Sequence, residues 1–237
     1  MRGLKIRNGA RELVVHSEAR GTACIGRASL VAVVQPSTSG GANIAGYSRH
    51  TFASDLPIIW AIDLPVGRRV GIIDTGYANG VYTIGAYCGD NPNSLGFDQQ
   101  FPVDIWAFSM ITAASTGSTS GLRLRNSAGI ITHDFMAPNI TLPIAAGDLS
   151  IAAVVPPGIG RPVVIGSSPY YDVTYTDLEP GYIKTDRRQF ALRSSDNVVA
   201  YSPGLMFRSG SSSGAPPADS TFTEKSPFFV VDGQFLP

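Results

Sequence analysis

Charge is scarce in this chain. Only 15% of its 237 residues are Asp, Glu, Lys or Arg, and 18 basic residues balance 18 acidic ones. Soluble domains carry about 25%, so Ser, Thr, Asn, Gly and backbone groups must make up much of this surface. A formal net charge of zero gives no reason to expect nucleic acid or an anionic membrane as a partner. Such a surface is also poorly protected against association, which suits a chain that works inside an assembly. Cysteine is nearly absent. Cys24 and Cys88 form neither a Cys-x-x-Cys unit nor a disulfide framework, and two buried thiols are expected. His16, His50 and His133 show no ligand spacing, so no metal site is expected. No apolar run approaches the roughly 20 residues of a membrane-spanning helix, and no segment keeps a 3.6-residue period over three turns. Charge recurs within Met1-Arg2-Gly3-Leu4-Lys5 before any apolar stretch, so no signal peptide is expected.

Turn formers and β-branched residues are abundant instead. Gly and Pro number 26 and 17, and short apolar runs recur at intervals of about 8–12 residues between turn signals. The pattern predicts an all-β chain: antiparallel β-sandwich or partly open barrel units with short strands and Gly/Pro-rich turns. Strands are expected at 3–7, 12–16, 23–35 (interrupted at Arg27), 47–52, 58–62, 70–74, 103–110, 122–125, 130–135, 150–155, 162–165, 170–175 and 190–193, with a hairpin over 77–84. Asn79-Gly80, between aromatic and β-branched residues, predicts a tight hairpin. Residues 113–120 read as a hairpin loop whose flanks pair directly, and Ser209–Pro217 as a flexible loop. Phe228 and Phe229 belong to an apolar C-terminal stretch expected to be a final strand or an arm on a neighbouring subunit.

The sequence also repeats itself. Gly3-Leu4-Lys5-Ile6-Arg7-Asn8 returns 118 residues later as Gly121-Leu122-Arg123-Leu124-Arg125-Asn126. Alternation in each copy predicts a half-buried strand, with Leu and Ile on one face and basic residues on the other. Phe190 to Val199 has the same strand–turn–strand logic and reads as a worn third copy.

Motifs for chemistry are weak. Ile72-Ile73-Asp74-Thr75-Gly76 resembles an aspartic-protease signature, but that reaction needs two carboxylates sharing a proton, hence a homodimer here. Tyr77 also stands where the pattern wants a small residue. A strand end with Asp74 capping a loop is the simpler reading. Gly210-Ser211-Ser212-Ser213-Gly214 formally matches a nucleophile elbow but lacks the strand-to-helix context. No catalytic, cofactor-binding or metal-binding residue is assigned, and no enzyme activity is expected. Tyr170, Tyr171, Tyr175 and Tyr182 cluster within thirteen residues. With Phe228 and Phe229 they are the candidate interface or receptor contacts, because amphipathic aromatics serve protein interfaces and sugar-stacking surfaces alike.

The repeat also carries a resemblance. A Gly-Leu-x-apolar strand, a turn and a returning apolar strand, found first at the N-terminus and again after Val103-Asp104-Ile105-Trp106-Ala107-Phe108, resembles small tail-tip proteins of long-tailed, siphovirus-like bacteriophages. Ile130-Ile131-Thr132-His133-Asp134 fits the returning strand, with His133 replacing the usual aromatic. The first copy is weaker, with Arg11-Glu12 where a glycine would follow. The resemblance covers residues 1–150. It implies a structural component of the tail tip or fibre region, without cofactor, that binds other tail proteins and contributes to host attachment. It further implies a homo-oligomer, with a cyclic trimer expected by analogy, carried in the distal tail of the virion and made in the host cytoplasm. Residues 1–150 are accordingly expected as one β-rich domain holding the repeat. Residues 151–237 are expected as a smaller β-rich region with a Ser/Gly/Pro loop and a C-terminal arm. A receptor- or carbohydrate-binding module is the alternative function, and a hydrolase using Asp74 a second.

Overall fold

The computed structural model describes residues 5–7, 13–16, 22–39, 41–89, 98–110, 122–134, 139–140, 144–166, 170–178, 180–223, 227–234 and 236. Among them the chain is all-β, built from open antiparallel sheets. An 11-stranded sheet and a 7-stranded sheet dominate, accompanied by two separate two-stranded hairpins. The smaller sheet runs in the order Asn139–Ile140, Thr22–Arg27, Ile105–Met110, Ile59–Asp63, Pro162–Ile165, Phe228–Asp232, Ala145–Gly147.

Alternation along the strands explains the layering. Ile62, Ile105, Val164, Phe228 and Val230 of the smaller sheet pack with Val70, Ile84, Ala86, Cys88, Ala191 and Val199 of the larger one in a single core. Their neighbours Ala61, Trp106, Val163 and Val231 form a second cluster with Cys24 and Phe108. Successive side chains point to opposite faces of a strand, so the middle strands of the smaller sheet are buried on both sides. This is why they are continuous apolar runs such as Ile105-Trp106-Ala107-Phe108, rather than alternating ones. The two sheets make the sandwich of the expected architectures. The two cysteines are free and buried, as expected.

The larger sheet curls. Residues 29–53 form one long hairpin broken in the middle, with Ser29–Val34 paired to Tyr47–Ala53 and Ser37–Ser39 to Ala42–Ile44. Its inner strand splits at Ala45 and Gly46. The part after the break pairs with Val81–Gly89, and the part before it with Val198–Ser211. The strands Arg69–Ala78 and Tyr182–Arg193 complete the circuit. Ala45 at the break, with Ile73, Tyr87, Phe190 and Met206, one from each of the other four strands, shares a small core of its own. Ile73, Tyr87 and Phe190 alternate with Ile72, Ala86, Cys88 and Ala191 of the main core.

Several expectations change. Among the described residues both sheets and the main core draw on residues before and after residue 150. The reason is the pairing of Pro162–Ile165 with Ile59–Asp63, and of Tyr182–Arg193 with Arg69–Ala78. The C-terminal stretch, expected as a final strand or an arm, forms a strand within the smaller sheet. The run 23–35 splits at Ala28, where the chain crosses from the smaller sheet to the larger one. The flanks of 113–120 do not pair with each other: Ile105–Met110 lies between Thr22–Arg27 and Ile59–Asp63. Residues 113–120 themselves lie outside the described residues. Strand Val198–Ser211 extends into the expected 209–217 loop. At the Asn79-Gly80 hairpin both residues have positive φ, 52° and 76°, as the tight turn requires.

The repeat is structural. Lys5–Arg7 pairs with Leu13–His16, and Arg123–Arg125 with Ile131–Asp134, both antiparallel. The register shifts between Ile6 and Arg7 in the first and between Leu124 and Arg125 in the second. Those are equivalent positions, so the same β-bulge recurs 118 residues apart. In the second copy Asn126 Oδ1 accepts from the backbone N–H groups of Ala128 and Ile130, and Gly129 has φ 76°. Leu124 and Ile131 are buried and Arg125 is exposed, but Leu122 is 58% exposed instead of sharing the face of Leu124. The third stretch keeps the turn and loses the bulge. Ser194 N–H donates to Val198 O as Asn126 N–H does to Ile130 O, and Asn197 takes the positive φ of Gly129. Its strands are longer and belong to the large sheet.

Candidate functional site

The large sheet forks beside Tyr182–Arg193. This strand pairs with Arg69–Ala78 only at Arg69 and Val70, and with Tyr170–Asp177 along its other half. Where the strands part, a cleft of about 620 Å³ opens between the sheets, lined by Ile59, Trp60, Ile73, Asp74, Ile165 and Arg188 among others. A bulge opposite Gly85 and Ala86 takes Ile73 out of register, and Arg188 Nη1 donates to the Ile73 carbonyl at 3.0 Å across the fork. Trp60 stands edge-on to Phe52 and Tyr82, and Tyr82 packs on Tyr77 at 4.6 Å. The cleft is thus mostly apolar, with a guanidinium, a carboxylate and Thr75 at its polar parts.

Asp74 lies in mid-strand beside this bulge, not at a strand end capping a loop. It is exposed. Among the described residues no group of three or more His, Cys, Asp or Glu side chains gathers as a metal site. The Gly210–Gly214 stretch follows a strand end and enters bends, without a helix.

The tyrosine cluster is brought together only in part. Tyr175 and Tyr182 meet edge-to-face at 5.5 Å on paired strands, both half-buried. Asp219 accepts from the Tyr175 backbone N–H at 2.7 Å, tying the adjoining segment to the pair. Tyr170 and Tyr171 stand in the same strand, in register with Thr223 and Arg188 respectively. Phe228 is fully buried in the main core, edge-on to Tyr201. Phe229 is 38% exposed, because the next residue of a strand faces the other way.

Two polar groupings, one buried and one at the surface, carry no motif in the sequence. Arg69, fully buried, pairs with buried Asp98 and donates through Nη1 to Pro203 O. Tyr87 Oη donates to Asp98 Oδ2 at 2.9 Å and stacks on Phe190. Gln100 extends the network, accepting from Cys88 N–H and exchanging hydrogen bonds with Gln35. Together these contacts tie residues 98–100 to the curled sheet. The only hint in the sequence is an arginine opening an apolar strand. On the smaller sheet, Arg27 and Arg161 lie over Trp106, and ion pairs link them to Asp104 and Asp63. This arrangement seals a buried ring with charged rims.

His50 is buried against Ser48 Oγ, 2.9 Å from Nε2. Burial lowers its pKa to about 4; Asp104 opposes the shift and Arg27 adds to it. A lowered folded pKa means that the unfolded chain takes up the proton first. Stability is therefore complete above the unfolded value of 6.5 and falls as pH drops from 6.5 to about 4. The slope is about 1.4 kcal/mol per pH unit in that window. Denaturant unfolding of His50→Gln from pH 7 to pH 4 should show a shallower loss than the parent chain. Parallel losses would show that other groups set the slope.

No family model, curated protein or solved structure matches this chain.

Proposed function

We propose that this protein is a structural component of a bacteriophage tail tip or fibre region, working through its interfaces with other tail proteins. The observation that carries the reading is the duplicated Gly-Leu-x-apolar hairpin, whose second copy follows strand Ile105–Met110 in the order of the tail-tip proteins it resembles. Two features support it. The surface is low in charge, and the outer strand Ser29–Val34 of the large sheet has an uncharged edge exposing Leu30 and Val31. Such an edge can add a strand from another chain. A phage carrying a tagged copy should retain the chain in purified particles, with the label at the distal tail in electron micrographs. Particles that assemble and infect without the chain, and never contain it, would refute the proposal.

The Tyr175–Tyr182 pair favours host contact as a second role. Particles carrying Tyr175→Ala and Tyr182→Ala should then assemble normally and lose adsorption. Lost assembly with the fold intact would place the pair in a tail-protein interface instead.

A further inference from the structure

The strand Arg69–Ala78 keeps one edge open. Val81–Gly89 covers its other edge from end to end. On the open side Tyr182–Arg193 pairs only with Arg69 and Val70, and among the described residues no strand pairs with that edge beyond them. Asp74 to Ala78 are exposed, Tyr77 at 54%. Backbone parity follows from the turn at Asn79-Gly80. Ala78 and Val81 flank that two-residue turn as a hydrogen-bonded pair, so Tyr77 and Thr75 turn their N–H and C=O groups to the open side. These groups meet no backbone partner there among the described residues.

The open edge runs into the cleft at the fork. Ile73, Asp74 and Thr75 belong both to this strand and to the cleft lining, which Ile59, Trp60 and Ile165 of the smaller sheet complete with apolar surface. The fork closes at Val70, where the two strands converge, and the Arg188–Ile73 hydrogen bond spans its end. A segment laid beside Tyr77 and Thr75 therefore meets a closed end within a few residues. What reaches Arg188 is a chain terminus rather than a passing loop. Arg188 also sets which terminus. Among the described residues only its Nη1 is engaged, its Nε is shut from water without a hydrogen-bond partner, and it joins no ion pair. Its charge acts on Asp186, two residues away, without pairing to it. A guanidinium with unused donors takes a carboxylate. Asp74, exposed on the same strand, weighs against a second anion beside it. A fatty acid would match the cleft and the cation, but it offers nothing to the backbone groups of Thr75 and Tyr77.

We propose that this fork is a docking groove for the C-terminal end of a partner protein. The partner's last residues add to the open edge of Arg69–Ala78 as an antiparallel strand, with the terminal carboxylate on Arg188 and alternate apolar side chains in the cleft. The groove is a property of the folded chain and does not rest on the tail-component reading. The probe is a library of random heptapeptides displayed on a carrier with free C-termini. Selection on the purified chain should enrich apolar residues at alternate positions. Amidating the C-terminus of a selected peptide should weaken it roughly 10- to 100-fold. Arg188→Gln should bind the free acid as weakly as the parent chain binds the amide, and should treat acid and amide alike. N-methylation of the peptide backbone should abolish binding at every second residue and be tolerated between them, since an added strand turns alternate N–H groups toward its neighbour.

Selection of no C-terminal sequence would overturn the proposal, as would equal affinity of acid and amide for the parent chain. Methylation effects without alternation would overturn it too. Arg188-dependent binding of decanoate, with no peptide selected, would assign the cleft to a small amphipathic acid instead. Dimers of the chain that are lost in Arg188→Gln, without peptide binding, would assign the edge to a second copy. If Arg188→Gln lowers the thermal midpoint, the amide and N-methyl comparisons on the parent chain decide alone. Failure here with the chain still found at the distal tail would leave the tail-component reading standing. Success here with the chain absent from particles would do the reverse.

Discussion

Arg69→Met should destabilise the chain by about 3–5 kcal/mol, because removing one partner of a buried ion pair strands the other charge. Arg69 is fully buried and its partner Asp98 nearly so. Asp98 would keep its hydrogen bond from Tyr87 but lose its cation in a site closed to water. The Pro203 carbonyl would lose a donor at the same time. The double variant Arg69→Met, Asp98→Leu should recover much of the loss, since an apolar pair of similar volume avoids the desolvation of both charges. Chemical denaturation of the three chains at pH 7 checks this. Equal stability of Arg69→Met and the parent would show that the pair contributes nothing.

Phe190→Ala should cost a similar amount, about 3–5 kcal/mol, for a different reason. The ring is fully buried, stacked on Tyr87 at 4.6 Å. It also lies between two glycines: a methyl group added at Gly71 or at Gly204 would come within 2.6 Å of it. Neither glycine has a side chain to move into the space, so the cavity cannot collapse easily. Gly204→Ala attacks the same packing from the other side and should destabilise through overcrowding, by about 1–3 kcal/mol. Thermal melts of both variants decide the matter. A Phe190→Ala loss below about 1 kcal/mol would mean that the curled sheet closes over the gap.

The hairpins were the most legible part of the fold. Asn79-Gly80 and Asn126 to Gly129 announce their turns because the backbone there needs positive φ or a side-chain acceptor, and few residues supply either. The central strands of the smaller sheet were legible as strands, though Asn139–Ile140 and Ala145–Gly147 at its edges were not. Their burial on both faces was written in Ile105 to Phe108, which do not alternate. The site was less legible. Tyr175 and Tyr182 are near each other in sequence and meet through a hairpin. The cleft joins Trp60, Asp74, Ile165 and Arg188, which no local pattern connects. Phe228 and Phe229 look alike in the sequence, yet one packs in the core and the other faces outward, because strand parity sets them on opposite sides.

Residue periodicity and turn chemistry alone determined the all-β class, most of the hairpins and the repeated Gly-Leu-x-apolar unit, because each depends on interactions within a few residues. Tertiary structure decided the rest. It joined the two halves of the chain through strands more than ninety residues apart, such as Ile59–Asp63 with Pro162–Ile165. It broke the 29–53 hairpin so that the large sheet curls around Tyr87 and Phe190. Pairing between distant strands depends on which faces must be buried together, and a single strand's sequence holds only half of that requirement.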